Sequence, residues 1–212
     1  KELNNKDYAK KNNIEYYTQG TNLGLSKAYN YIINNKKMNN DDYIMIFDDD
    51  TEVTQEYLDE AIKEINKKEF DIILPIVKSN NKIISPANTQ FNCRVKSVNS
   101  INEIKINKIT AINSGMIIKR SVYNTIKYNE TIFLDYVDHE FMREVRKKNY
   151  KIKVLNSELL QHFSRDEEKD KEKIKRRFEI YQKDFKKYCN YNFISRMFFY
   201  WNIKKYKRRI KC

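Results

Sequence analysis

Residues 43–53 read Tyr-Ile-Met-Ile-Phe-Asp-Asp-Asp-Thr-Glu-Val, and the reading of that stretch decides the fold. Tyr43 to Phe47 is a short run of aromatic and branched residues, the composition of a buried strand. It ends on three adjacent carboxylates, Asp48, Asp49 and Asp50. Concentrated negative charge at the edge of a sheet is costly without a positive counterpart, and a divalent cation with hard oxygen ligands is an economical one. In open α/β sheets, ligands collect at the carboxyl ends of strands. Two readings stand at this point. One is a metal site that holds phosphates; the other is a solvated acidic turn whose carboxylates favour the N-terminus of the next helix.

The flanking segments alternate between the two periodicities. Upstream, Asp7 to Asn12 reads as the end of a helix, Ile14 to Tyr17 as a short strand and Gly20 to Gly24 as a turn. Leu25, Ala28, Tyr29, Ile32 and Ile33 then form a helical stripe. Downstream, Thr54 is placed to cap a helix whose core face is Leu58, Ala61, Ile62 and Ile65. Asp71 to Val77 is another apolar strand, and Pro75 within it predicts an edge or a bulge. Residues 78–107 suggest two or three short strands with loops. Ile109 to Ile112 and Met116 to Ile118 flank a small-residue turn, Asn113-Ser114-Gly115. From Asp138 the spacing is helical, with Asp135, Asp138 and Glu140 at the start and Arg143, Arg146, Lys147 and Lys148 at the end, an order that suits the helix dipole. Lys151 to Leu155 is a further strand, and His162 follows in Glu158 to Phe163. Strands alternating with helices predict an α/β class with a mixed, largely parallel sheet flanked by helices.

The balance of charge narrows the partners. The formal net charge is +13, which points to a polyanion: nucleic acid or an acidic membrane surface. No helix-turn-helix, finger or RNA-recognition motif is visible, and the acidic triplet repels phosphates in the absence of a metal, so no nucleic acid is expected. Cys93, Cys189 and Cys212 are far apart and odd in number, without a CxxC pair. They support neither a zinc site nor a disulfide framework, and a reducing, cytosolic compartment fits them. No apolar run is long enough to span a bilayer. From Arg165 the character changes: Asp166 to Lys175 mixes both charges, Phe178, Tyr181, Phe185 and Tyr188 recur at helical spacing, Phe193 to Trp201 is aromatic, and Lys204 to Lys211 is mostly basic. An aromatic body beside a cationic end is the pattern of an interfacial membrane anchor; the alternative is a helix packed on its own domain with a basic tail in solvent. The expected division is therefore residues 1–163 and a C-terminal helical, membrane-associating segment, 164–212. The opening at Lys1, in mid-pattern, leads us to expect a missing upstream segment.

Five pieces in order resemble the family 2 inverting glycosyltransferases, and in look their rhamnosyltransferase-like branch: NLGLSKAYN at 22–30, IFDDDTEV at 46–53, INSGMIIKR at 112–120, FLDYVDHEFMREVRKKNYKI at 133–152 and LLQHF at 159–163. The match covers about residues 14 to 163. It departs from the family pattern at Phe141, where a Trp is usual, and lacks the opening strand–helix–strand unit and the Arg-Asn pair after His162. The resemblance implies a GT-A, Rossmann-like fold and transfer of a sugar from a dTDP- or UDP-sugar, rhamnose being one candidate, to a lipid-linked or polysaccharide acceptor. It also implies a Mg²⁺ or Mn²⁺ cofactor. Asp50 would ligate the metal, Asp48 would contact the metal-bound water or ribose, and His162 would approach the metal from the other side. Asp138 matches the base that activates the acceptor, with Glu140 second. Asn22, Gly24 and Asp49 would approach the nucleotide, and Ser114 and Gly115 would admit donor or acceptor close to the backbone. An enzyme of this kind would sit at the cytoplasmic face of the cell membrane. Two other readings compete: a non-catalytic GT-A-like remnant serving as an interaction module, and a basic nucleic-acid-binding protein.

Overall fold

The computed structural model describes residues 5–162 and 170–210. The elements in order are α1 (Lys6–Lys11), α2 (Leu25–Asn35), β1 (Tyr43–Ile46), β2 (Thr51–Glu52), α3 (Gln55–Lys67), β3 (Ile72–Ser79), β4 (Lys82–Ser85), β5 (Ala87–Gln90), β6 (Arg94–Lys96), β7 (Ile109–Thr110), β8 (Met116–Lys119), α4 (Val137–Lys147), β9 (Ile152–Gln161), α5 (Lys171–Cys189) and α6 (Phe193–Ile210). The main sheet runs β1-β8-β3-β9-β2, with β4 paired to the end of β3. A small antiparallel sheet, β6-β5-β7, is built largely from residues 78–107.

The sheet is mixed, as expected, but not largely parallel. β1, β3 and β9 share a direction, yet only β3 and β9 are parallel neighbours, with Ile72 opposite Ile152. β8 is inserted antiparallel between β1 and β3, and Ile117 faces Met45 on one side and Ile73 on the other. The reason is the turn at Asn113–Gly115, which returns the chain between two strands already laid down; Gly115 N–H donates to Ile46 O at its entry. Ile14 to Tyr17 forms no strand: among the described residues it has no ladder partner, and Ile14, Tyr16 and Tyr17 are exposed. Pro75 lies where the β3–β9 register shifts, so the bulge reading holds although β3 is a central strand.

Strand alternation divides the core in two. Ile72, Leu74, Met116 and Ile118 face α4 and α5, packing with Phe141, Met142, Val145, Phe185 and Tyr188. Ile73, Val77 and Ile117 face α3, packing with Tyr57, Ala61, Leu155 and Leu159. Thr54 caps α3 as its position predicts, accepting from Tyr57 N–H at 3.2 Å. The expected boundary at 163 and 164 lies outside the described residues, as do Cys212 and residues 166–169 of the charged run from Asp166 to Lys175, whose remainder opens α5. α5 and α6 are not detached from the sheet: Phe185, Tyr188, Phe199 and Ile203 share the core of Phe141 and Met142.

Candidate active site

The acidic strand end is held by β9. Asp50 O accepts from His162 N–H at 3.1 Å, and Thr51 pairs with Gln161 across β2 and β9. This pairing brings a buried amide under the acidic turn. Gln161 Nε2 donates to Asp48 Oδ2 at 3.3 Å and to Asp50 Oδ1 at 3.0 Å. Gln161 Oε1 is buried without a hydrogen-bond partner among the described residues. Burial, and then the negative charges of Asp138 and Asp50, push the Asp48 carboxyl above its ordinary value, with Gln161 opposing.

Asp48, Asp49, Asp50, Asp138, His139 and Gln161 line one cleft of about 550 Å³, closed on another side by Asp135, Tyr136 and Tyr181. That volume suits a ligand of nucleotide-sugar size. Asp138 lies in the first turn of α4, where its Oδ1 accepts from His139 N–H at 2.7 Å. Among the described residues, Asp48, Asp50 and Asp138 form no ion pair. Their donor set is oxygen only, and among the described residues no cation pairs with them. Mg²⁺ and Mn²⁺ favour such ligands, and Mg²⁺ is commonly held by one or two carboxylates together with substrate phosphates. No three His, Cys, Asp or Glu side chains among the described residues converge into a ready cage. Asp48 and Asp50 thus fit a cation shared with a bound diphosphate.

Several expected site residues stand elsewhere. His162 directly follows Gln161, the last residue of β9, and its side chain takes the opposite face; it is 75% exposed, with Nε2 3.7 Å from Glu52 Oε2, and does not line the cleft. Glu140 lies two residues beyond Asp138, which turns it some way round the helix. It is buried beside Arg143, with Nη2 to Oε1 at 3.5 Å, and burial raises its carboxyl while Arg143 opposes. Ser114 and Gly115 are buried and do not line the cleft. Ser114 Oγ is hydrogen-bonded to Thr51 Oγ1, and Tyr57 OH donates to Gly115 O at 2.9 Å. Gly115 has φ +73°, and a Cβ there would meet Leu159 Cδ1 at 2.3 Å, so its small size serves strand packing. Asn22 and Gly24 line a neighbouring hollow of about 330 Å³ that shares Leu25 and Leu134 with the cleft. Asn22 Oδ1 accepts from Gly24 N–H at 3.0 Å, and the space of a Gly24 Cβ is filled by Phe133.

Three residues give the site a framework that local patterns do not announce. Gln161 is one. His139 is a cleft residue, its Nδ1 hydrogen-bonded to Thr110 Oγ1 at 2.8 Å. Successive helix positions face different ways, so the sequence next to Asp138 does not single His139 out. Asp184 of α5 is 2% exposed, and its carboxylate accepts from the N–H groups of Phe133, Leu134 and Asp135 at 2.8–2.9 Å. It fixes the loop that leads into α4. Arg177, seven residues earlier on α5, clasps Asp135 through both Nη atoms.

The model described as Glycosyl transferase family 2 matches residues 2–127, more than half of the chain. No curated protein matches it. A solved structure of S. aureus TarS is similar at 15% identity and a TM-score of 0.49, covering 91% of this chain and 53% of that one. A structure of S. aureus TarS in complex with UDP-GlcNAc is similar at 14% identity and a TM-score of 0.47, covering 91% and 55%. The chain therefore spans about half the length of these structures. On the match over residues 2–127, the chain belongs to glycosyl transferase family 2.

Proposed function

We propose that the cleft carries out an inverting sugar transfer from a nucleotide-sugar donor. The observation that supports this best is the meeting of three carboxylates in one space: Asp48 and Asp50 at a strand end and Asp138 at a helix start. The first pair suits a diphosphate with its cation, Mg²⁺ or Mn²⁺, and the third is free to take a proton. When bound, the cation supplies positive charge that offsets the charge developing on the departing diphosphate. Gln161 holds Asp48 and Asp50 in position. Asp138 accepts the proton of the acceptor hydroxyl, whose oxygen forms a bond to the anomeric carbon from the face opposite the leaving group. The bond from that carbon to the phosphate oxygen breaks, and its electron pair leaves with the nucleoside diphosphate.

The donor class is a UDP- or dTDP-sugar, and the order of the motifs favours a deoxyhexose such as rhamnose. The acceptor is a lipid-linked or growing polysaccharide. Asp49, at the exposed tip of the turn, faces the nucleotide, and Asn22 and Gly24 border it from the neighbouring hollow. Calorimetric titration with UDP and with dTDP, each with and without Mn²⁺, tests the reading. Binding that requires Mn²⁺ and is lost in Asp50→Ala supports it. Absence of binding to either nucleotide in the presence of Mn²⁺ would leave the interaction-module reading in its place.

A further inference from the structure

α6 is apolar on two sides, and among the described residues the core covers one of them. Ser195, Phe199 and Ile203, spaced four apart, are buried. The other side exposes Phe193, Ile194, Met197, Tyr200 and Trp201, at 54–68% of their surface. These five positions follow i, i+1, i+4, i+7 and i+8, which joins them into one stripe. Contiguous apolar patches of this kind are rare on free soluble surfaces and mark contact sites.

The charge around the stripe says what it contacts. α6 contains no Asp or Glu, and Arg196, Lys204 and Lys205 are exposed along it. Lys205 Nζ stands 5.4 Å from the centre of the Trp201 ring. Beside the stripe, a hollow of about 390 Å³ opens between the end of α5 and the start of α6, lined by Lys186, Lys187, Asn190, Arg196 and Tyr200. Its charged lining residues are all cationic. A second copy of the chain seated here would set these cations against their own equivalents, which disfavours a symmetric self-contact. An anionic lipid surface offers the complementary charge together with an apolar interior, and aromatic residues suit its boundary.

We propose that this face docks on an anionic membrane, with α6 lying in the plane of the interface. Phe193, Ile194, Met197 and Trp201 enter the boundary between headgroups and acyl chains, and Lys186, Lys187 and Arg196 receive a lipid phosphate. Among the described residues no helix is long and apolar enough to cross a membrane, so contact is made from one side. α5 packs against α6 and also carries Tyr181 and Asp184, which border and brace the cleft. Docking of α6 therefore holds the cleft at the surface where a lipid-linked acceptor lies. Membrane docking by this face does not depend on the transfer reaction.

Trp201 is the only tryptophan in the chain, which gives a local probe. The full chain is titrated with vesicles of phosphatidylcholine alone and of phosphatidylcholine mixed with phosphatidylglycerol, with inorganic phosphate as a control. The expected result is co-sedimentation and a blue shift of Trp201 emission with the anionic vesicles only, weakening as salt rises, and no blue shift with phosphate. Lys186→Glu combined with Lys187→Glu weakens partitioning at least about tenfold, as does Ile194→Glu combined with Met197→Glu. Unchanged circular dichroism in both variants shows that they fold. Equal binding to neutral vesicles, or full retention by both variants, overturns the proposal. So does a dimer in sedimentation velocity that the Ile194→Glu, Met197→Glu variant abolishes.

Discussion

The cleft and the packed seam beside it, where α4 and the loop before it meet α5, use the same residue types to opposite ends. In the seam, each carboxylate is matched: Asp135 by Arg177, Glu140 by Arg143, and Asp184 by three backbone N–H groups. In the cleft, Asp48 and Asp50 share one neutral amide, and neither they nor Asp138 meet a cation among the described residues. Removing a matched carboxylate leaves its partners buried and unsatisfied, which lowers stability. Removing an unmatched one relieves repulsion, so its loss should be read in ligand binding and turnover. On the proposed function, the difference separates residues that hold the fold from residues that would meet a ligand.

The largest effect expected is on Asp50→Ala. Mn²⁺-dependent nucleotide affinity should fall at least about a hundredfold, while the melting temperature of the ligand-free protein stays level or rises; calorimetry and thermal denaturation read the two. A clear drop in stability would place Asp50 with the seam and break the comparison. Asp184→Ala should behave the other way, losing roughly 3 kcal/mol in urea denaturation because three N–H groups lose a charged acceptor. A smaller change accompanies Glu140→Gln. Burial raises the Glu140 carboxyl, so the folded protein binds its proton more tightly than the unfolded chain does. Wild-type stability should therefore fall relative to Glu140→Gln as pH rises from the ordinary carboxylate range toward neutrality. Parallel stability curves for the two proteins between acid and neutral pH would show that Glu140 contributes no such linkage. The least effect is expected from His162→Ala, which should change Mn²⁺ affinity less than about threefold, since the imidazole faces away from the cleft; a loss comparable with Asp50→Ala would return His162 to the metal site.

What was legible in the sequence was local. The strand entering Asp48, the Thr54 cap, the helix start at Asp138 and the Asn113–Gly115 turn depend on near neighbours in the chain, and each is found where the pattern put it. What was not legible depended on pairing across the fold. Whether Gln161 or His162 faces the acidic turn is decided by strand parity on β9, which is set by its pairing with Thr51, 110 residues earlier. Asp184 reads in sequence as one more charge on a polar helix; only the docking of α5 shows that it binds the loop before α4. The largely parallel sheet failed because alternation of strands and helices does not reveal an antiparallel strand slipped between two parallel ones. Glu140 was within reach, since two steps along a helix change its face. The small residues of the 113–115 turn announced close packing, but not whether the close neighbour was a ligand or, as found, Leu159 and Pro75.

The most direct test of the division within the cleft is Asp138→Asn, followed by calorimetric titration with the preferred nucleotide and Mn²⁺ and by release of nucleoside diphosphate from its sugar conjugate. The account predicts wild-type nucleotide affinity with turnover reduced about a hundredfold or more. Equal loss of affinity and turnover, or turnover left unchanged, would contradict it.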